Sequence, residues 1–137
     1  MLSAEVLYDL WNTIKFITAE NLKGDVLEFG VWKGGALELA CHALNHFKGN
    51  NKVWGFDTFE GHPEPSLSET DVWGNNMNAR YHKEVDENGS WVKSHYDSVV
   101  ENLLQIRPDV TLRKGEVSSQ TNEPEIERIS ILRLDMD

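Results

Sequence analysis

Apolar positions recur at helical spacing near the start of the chain. In "SAEVLYDLWNTIKFITAENLKG", Val6, Leu7, Leu10, Trp11, Ile14 and Ile17 fall on one face. Ser3 is placed to cap this helix, and Gly24 to end it in a left-handed turn. "DVLEF" is short and mainly apolar, is closed by Gly30, and predicts a buried strand. "GALELACHALNHF" sets Leu37, Ala40, Cys41 and Leu44 at helical spacing, and "KVWGFD" predicts a second strand. Further on, "SWVKSHYDSVVENLLQI" predicts a helix capped by Ser90, with Tyr96, Val99, Val100, Leu103 and Leu104 facing inward. Pro108 stops it, "VTLRKG" predicts a third strand and "ISILRLD" a fourth.

Residues 58–89 break this rhythm. They are rich in Gly, Pro, Asn and acids, with Trp73, Met77 and Tyr81 scattered among them. A stretch of this kind inside a domain predicts a lid-like or substrate-binding excursion, with room for one short helix. Elsewhere, strands alternate with helices, the pattern of an α/β fold with a mainly parallel sheet and helices on both faces. Ligands of such sheets sit beyond the carboxyl ends of the strands, where strand order reverses.

At 137 residues the chain has the size of one domain. Thirteen Lys and Arg against 23 Asp and Glu give a net charge of −10, which disfavours nucleic acid or an anionic membrane as partner. The single cysteine, Cys41, excludes an internal disulfide or a cysteine-based metal cluster and is expected in the core. The start, "MLSAEVLYDLW", lacks the basic-then-apolar pattern of a signal peptide, so a cytoplasmic location is expected. His42 and His46 stand four apart on one helix, but no acid or third ligand accompanies them.

The strand ends carry the chemistry. After the first strand, "EFGVWKGGALELA" has glycines at 30, 34 and 35, where the backbone can turn sharply beneath a helix N-terminus. The spacing departs from the Gly-x-Gly-x-x-Gly of dinucleotide binders, and no Lys-Ser/Thr follows as in a phosphate loop. Glu28 interrupts an apolar strand, so something cationic or rich in donors should answer it. Asp57 ends the second strand, where an acid can accept hydrogen bonds from ribose hydroxyls or cap a turn. Gly115 and Glu116 follow the third strand, and Asp135 ends the fourth.

"DVLEFGVWKGGALELA", "VWGFDTFEGHPEP" and "ISILRLDMD", in this order, resemble the macrocin O-methyltransferase family. The resemblance runs from about residue 24 to 137 and is least marked in the excursion. It implies a Rossmann-like, three-layer α/β/α fold and S-adenosylmethionine-dependent methylation of a sugar or other small-molecule hydroxyl in natural-product or surface-glycan metabolism, assisted by Mg²⁺. By the same resemblance, Glu28 approaches the methionine amino group, while Gly30, Val31, Trp32, Gly34, Gly35 and Ala36 form the loop around the methionine portion. Asp57 binds the ribose, with Thr58 and Phe59 beside the adenosine, and Gly115 and Glu116 border the adenine. Asp135 is the catalytic carboxylate, which binds the metal beside the acceptor hydroxyl and can take its proton as general base, and Asp137 is a second metal carboxylate.

In the family the chain continues past this acid, so the C-terminal strands are expected to be missing here. Residues 1–137 then form the N-terminal portion of one methyltransferase domain, inactive alone, with 58–89 as an excursion within it. A homo-oligomer is compatible with this expectation. Two other readings remain open. One is a nicotinamide- or nucleotide-binding α/β enzyme; the other is a non-catalytic cofactor-binding remnant that serves as a partner subunit.

Overall fold

The computed structural model describes residues 3–89, 91–120 and 123–136. The elements are α1 (Ala4–Ala19), β1 (Asp25–Phe29), α2 (Gly35–Phe47), β2 (Val53–Asp57), α3 (Met77–Asn88), α4 (Tyr96–Ile106), β3 (Thr111–Lys114), α5 (Val117–Gln120) and β4 (Ile129–Leu134). The strands form one sheet in the order β3-β2-β1-β4, and every pairing is parallel. The expected α/β class is therefore what the chain adopts.

Burial explains the composition of the strands. β1 and β2 lie inside the sheet and are covered on both faces, so Val26 to Phe29 and Val53 to Phe56 are all buried. β4 is the outer strand of the described sheet, and its Leu132 and Leu134 are 51% and 63% exposed. On one face, α1, α2 and α4 bury Ile14, Ile17, Leu37, Cys41, Leu44 and Leu103 against Val26, Val53 and Leu112. On the other, Leu27, Phe29, Trp54 and Phe56 form a second cluster against Val117 and Ile126. There Phe29 and Phe56 stack at 4.6 Å. Burial pushes the Cys41 thiol up to about 12.

Gly55 stands mid-strand in β2 for a packing reason. A Cβ there would lie 2.4 Å from Leu112 Cδ2 and 2.5 Å from Leu37 Cδ1. The bare backbone leaves room for the Leu37 side chain of α2 and the Leu112 side chain of β3 to close over β2.

Three local expectations need correction. α1 ends at Ala19, before Gly24. The left-handed residue is Asn21 (φ 51°), and Leu22 N–H closes on the Ile17 carbonyl at 2.8 Å. Gly24 instead permits close passage beside β4, since a Cβ there would stand 2.8 Å from Ser130 N. α4 begins at Tyr96 with His95 as its cap residue, later than expected, and Ser90 lies outside the described residues. Leu104 is 42% exposed, because the buried stripe of α4 runs through Val99 and Leu103. The cap on α1 is as expected, with Ser3 Oγ accepting from Val6 N–H.

Residues 60–94 form a second compact unit. The short helix expected in the excursion is α3, twelve residues long and capped by Asn76 Oδ1, which accepts from Ala79 N–H at 2.8 Å. Asn78 donates to the Pro65 carbonyl at 2.8 Å, and the Trp91 ring sits 5.4 Å from His62 and 5.9 Å from Tyr81. Leu67, Val72 and Trp73 are exposed.

Candidate active site

The chain moves from β1 outward to β2 and β3, then returns to place β4 on the other side of β1. Strand order therefore reverses between β1 and β4, where sheets of this class open a crevice. Backbone contact there is close. Asp135 N–H donates to the Phe29 carbonyl at 2.8 Å, and a Cβ on Gly30 (φ 87°) would lie 2.1 Å from the Asp135 carbonyl oxygen. Only glycine fits at position 30.

Asp57 ties neighbouring strand ends together. Its Oδ2 accepts from the Trp32 N–H at 2.7 Å, and its Oδ1 from the Phe59 N–H at 2.7 Å. Its carbonyl accepts from the Gly115 N–H at 2.9 Å. The acid expected to meet a ribose thus also clamps the glycine loop, holding Trp32 at φ 49°. A carboxylate offers about four lone-pair sites, so acceptor capacity is left for a ligand.

Beneath the loop, Glu28 is 2% exposed. The cation that answers it is Arg133, its register partner on β4. Arg133 Nη1 donates to Glu28 Oε1, and Arg133 Nη2 donates to Asp135 Oδ2 at 2.9 Å. Glu28 Oε2 is buried and has no hydrogen-bond partner among the described residues. Burial pushes the Glu28 carboxyl up to about 7, against the pull of the Arg133 guanidinium. Burial of Arg133 favours its neutral form, but the two carboxylates outweigh this and hold its pKa above the ordinary guanidinium value. Sequence reasoning asked for a cation and did not name this one. The partial signal was a charged Arg133 inside an apolar strand, but its pairing with Glu28 depends on the β1–β4 register.

The other expected residues lie around this centre. Gly34 (φ 87°) is the residue before α2 and carries no side-chain cap, so the first amides of that helix follow directly from the loop. A Cβ on Gly35 would meet nothing within 4 Å. Ala36 and Val31 are buried in the helix-facing core. Thr58 is half-buried at the end of β2, and the Phe59 ring, 2% exposed, packs edge-on against Tyr96 at 5.1 Å. Gly115 takes φ 152°, and Glu116 is exposed, its carbonyl accepting from Ser119 at the start of α5.

Among the described residues, the structure brings Glu28, Gly30, Trp32, Asp57, Gly115 and Asp135 to one edge of the sheet. The arrangement fits the cofactor expected there. A buried carboxylate oxygen without a partner suits an ammonium, and glycine at position 30 keeps the strand ends in close contact. A metal is supported less well: no group of three His, Cys, Asp or Glu able to hold an ion converges among the described residues. Of the two residues expected to hold a metal, Asp135 is described and Asp137 lies outside the described residues. His42 and His46 are exposed on α2, where His46 packs against Trp11 at 5.4 Å. No helix among the described residues is long and apolar enough to cross a membrane.

Known proteins resemble this chain in sequence and fold. Mycinamicin III 3''-O-methyltransferase from Micromonospora griseorubida is 26% identical over 138 residues, covering the whole of this chain and 54% of that protein. The O-methyltransferase NovP superposes with a TM-score of 0.68 at 25% identity, over 94% of this chain and 52% of its own. The calicheamicin methyltransferase CalS11, 16% identical, shares the fold with a TM-score of 0.62 over 98% of this chain and 55% of its own. The chain thus spans about half the length of the relatives it matches. The family model for macrocin-O-methyltransferase (TylF) matches residues 1–137, and the chain belongs to that family.

Proposed function

We propose that this chain supplies the S-adenosylmethionine-binding portion of an O-methyltransferase acting on a sugar hydroxyl of a natural product. The observation that carries the reading is the buried Glu28 carboxylate, with Oε2 unpartnered beneath the loop from Gly30 to Gly35. In water an ammonium gains little from one more carboxylate, but in a site of low effective dielectric the same contact is worth far more. S-adenosylmethionine, when bound, supplies a methyl group on a sulfonium, ready for in-line displacement. Transfer to the acceptor oxygen would form a carbon–oxygen bond as the carbon–sulfur bond breaks, with the electron pair left on sulfur and the hydroxyl proton passing to Asp135.

The protein's part is positional. The loop from Gly30 to Ala36 and the start of α2 surround the methionine portion. Asp57 holds that loop through Trp32 and uses its remaining acceptor sites for the ribose hydroxyls. Thr58, Phe59, Gly115 and Glu116 frame the nucleoside side. Asp135 stands at the crevice edge, where it accepts the hydroxyl proton as general base. Holding acceptor oxygen and methyl in line provides a large share of the rate enhancement in such transfers. Asp135 and Asp137 are the candidates for Mg²⁺, and no step is derived through the metal.

Titration calorimetry with S-adenosylhomocysteine tests the reading, with NADH as the comparison ligand. Binding of the first and not the second is expected. The reverse result would move the chain to the nicotinamide enzymes. Labelled S-adenosylmethionine with Mg²⁺ and a panel of sugar acceptors tests the chemistry. The 137 residues alone are expected to bind cofactor without transferring methyl, and robust transfer by them would show a complete enzyme.

A further inference from the structure

The Arg133 guanidinium spans two carboxylates that the proposed function assigns to different partners, the cofactor and the acceptor. One arm reaches Glu28 Oε1, and the other reaches Asp135 Oδ2 at 2.9 Å. Parallel register sets Arg133 directly beside Glu28, and its side chain is only 18% exposed. A planar fork with both arms engaged has one geometry, which a lysine ammonium does not reproduce. The buried atom of this cluster without a hydrogen-bond partner among the described residues is Glu28 Oε2.

We infer that Arg133 is a positioning residue for cofactor binding: anchored on Asp135, it engages one oxygen of Glu28 and leaves the other for the cofactor's ammonium. The inference rests on the proposed function and goes past it, because it assigns Arg133 a role exerted through Glu28, to which it is hydrogen-bonded. It also makes cofactor affinity depend on Asp135 through a relay of two hydrogen bonds. A plain β1–β4 clamp would contribute stability alone, with no preference for one ligand over another.

The test uses two probes that differ in the amino acid portion, S-adenosylhomocysteine and 5′-methylthioadenosine. Calorimetry is run on the 137-residue chain, well below each variant's melting midpoint. Arg133→Gln is expected to weaken S-adenosylhomocysteine about tenfold or more and to leave methylthioadenosine within about threefold, the size of losing one hydrogen bond to a charged group. Arg133→Lys keeps the charge without the fork and is expected to show the same selective loss. It carries the test if Arg133→Gln does not fold. In a Glu28→Gln background, the further change Arg133→Gln is expected to alter affinity by less than about threefold, since both act at one carboxylate. Asp135→Ala is expected to weaken S-adenosylhomocysteine selectively, about two- to fivefold, by releasing the anchor. Unchanged S-adenosylhomocysteine affinity in the folded Arg133 variants, or equal weakening of both probes, overturns the inference and leaves the proposed function standing. Failure of the unmodified chain to bind either probe removes both.

Discussion

Replacing Asp57 by alanine separates two roles that one carboxylate fills. Two charge-assisted bonds of 2.7 Å are lost, to Trp32 N–H and Phe59 N–H. Each such bond is worth about 1.5–3 kcal/mol when its partner stays dry. The Trp32 side lies near solvent, so water replaces much of that bond, and the lower end applies. The Phe59 amide belongs to a residue only 2% exposed, and its loss keeps more of its cost. A sum of about 2–4 kcal/mol follows, offset in part because Trp32, freed from the clamp, relaxes from a left-handed conformation costing about 1 kcal/mol. Urea unfolding should register a loss of about 1–3 kcal/mol at unchanged slope, and Asp57→Asn, which keeps one acceptor, roughly half of it. Calorimetry measures the second role, for which a loss of about ten- to a hundredfold in S-adenosylhomocysteine affinity is expected. Unfolding curves that superimpose on the parent would refute the clamp. An unchanged dissociation constant would remove Asp57 from the cofactor site.

Gly30→Ala places a methyl 2.1 Å from the Asp135 carbonyl oxygen at φ 87°, so it should part the ends of β1 and β4. A loss of about 2–4 kcal/mol in chemical denaturation is expected, and a loss below 1 would show that the ends yield easily. Glu28 gives a pH dependence of opposite sign to that of an ordinary paired carboxylate. Its folded pKa, about 7, lies above its unfolded value near 4.5, so between those limits the folded state holds the extra proton. Its contribution therefore favours folding at the acid end and is lost as pH rises towards 7. Comparing melting midpoints of the parent and Glu28→Gln across that range should show this slope only in the parent. Described amides of 60–94 are expected to exchange hydrogen faster than those of the sheet, since the polar helix α3 buries few apolar side chains. Equal protection would make this unit a rigid insert.

The elements most legible in the sequence were those whose burial is one-sided or complete. The apolar stripe and the preceding glycines give α2 its observed bounds, and in the structure a left-handed Lys48 ends it. β1 and β2 announced themselves as apolar runs, which is what full burial on both faces demands. The pattern starts α4 too early because Trp91 and Val92 look like helix interior, whereas Val92 adopts φ 63° and Trp91 packs with rings of its own unit. The roles of Gly24 and Gly55 depend on how close a distant strand or helix passes, which no local pattern encodes. At the site, the need of Glu28 for a cation could be inferred from the cost of burial. That the cation is Arg133 required the β1–β4 register. The clamp made by Asp57 was equally hidden, since an acid at a strand end reads the same whether it serves a ligand or its own loop.

Cys41 has a practical consequence for studying residues 60–94. It is the chain's single cysteine, has 0% exposure, and its thiol is pushed up to about 12. At neutral pH only on the order of one such thiol in 10⁵ is ionised, and alkylating reagents attack the thiolate. A cysteine introduced at exposed Val72 or Trp73 would therefore take a maleimide dye or spin label alone, with the native thiol left in place. The chain comes ready for single-site spectroscopy of its second unit, without a cysteine-free background having to be engineered first.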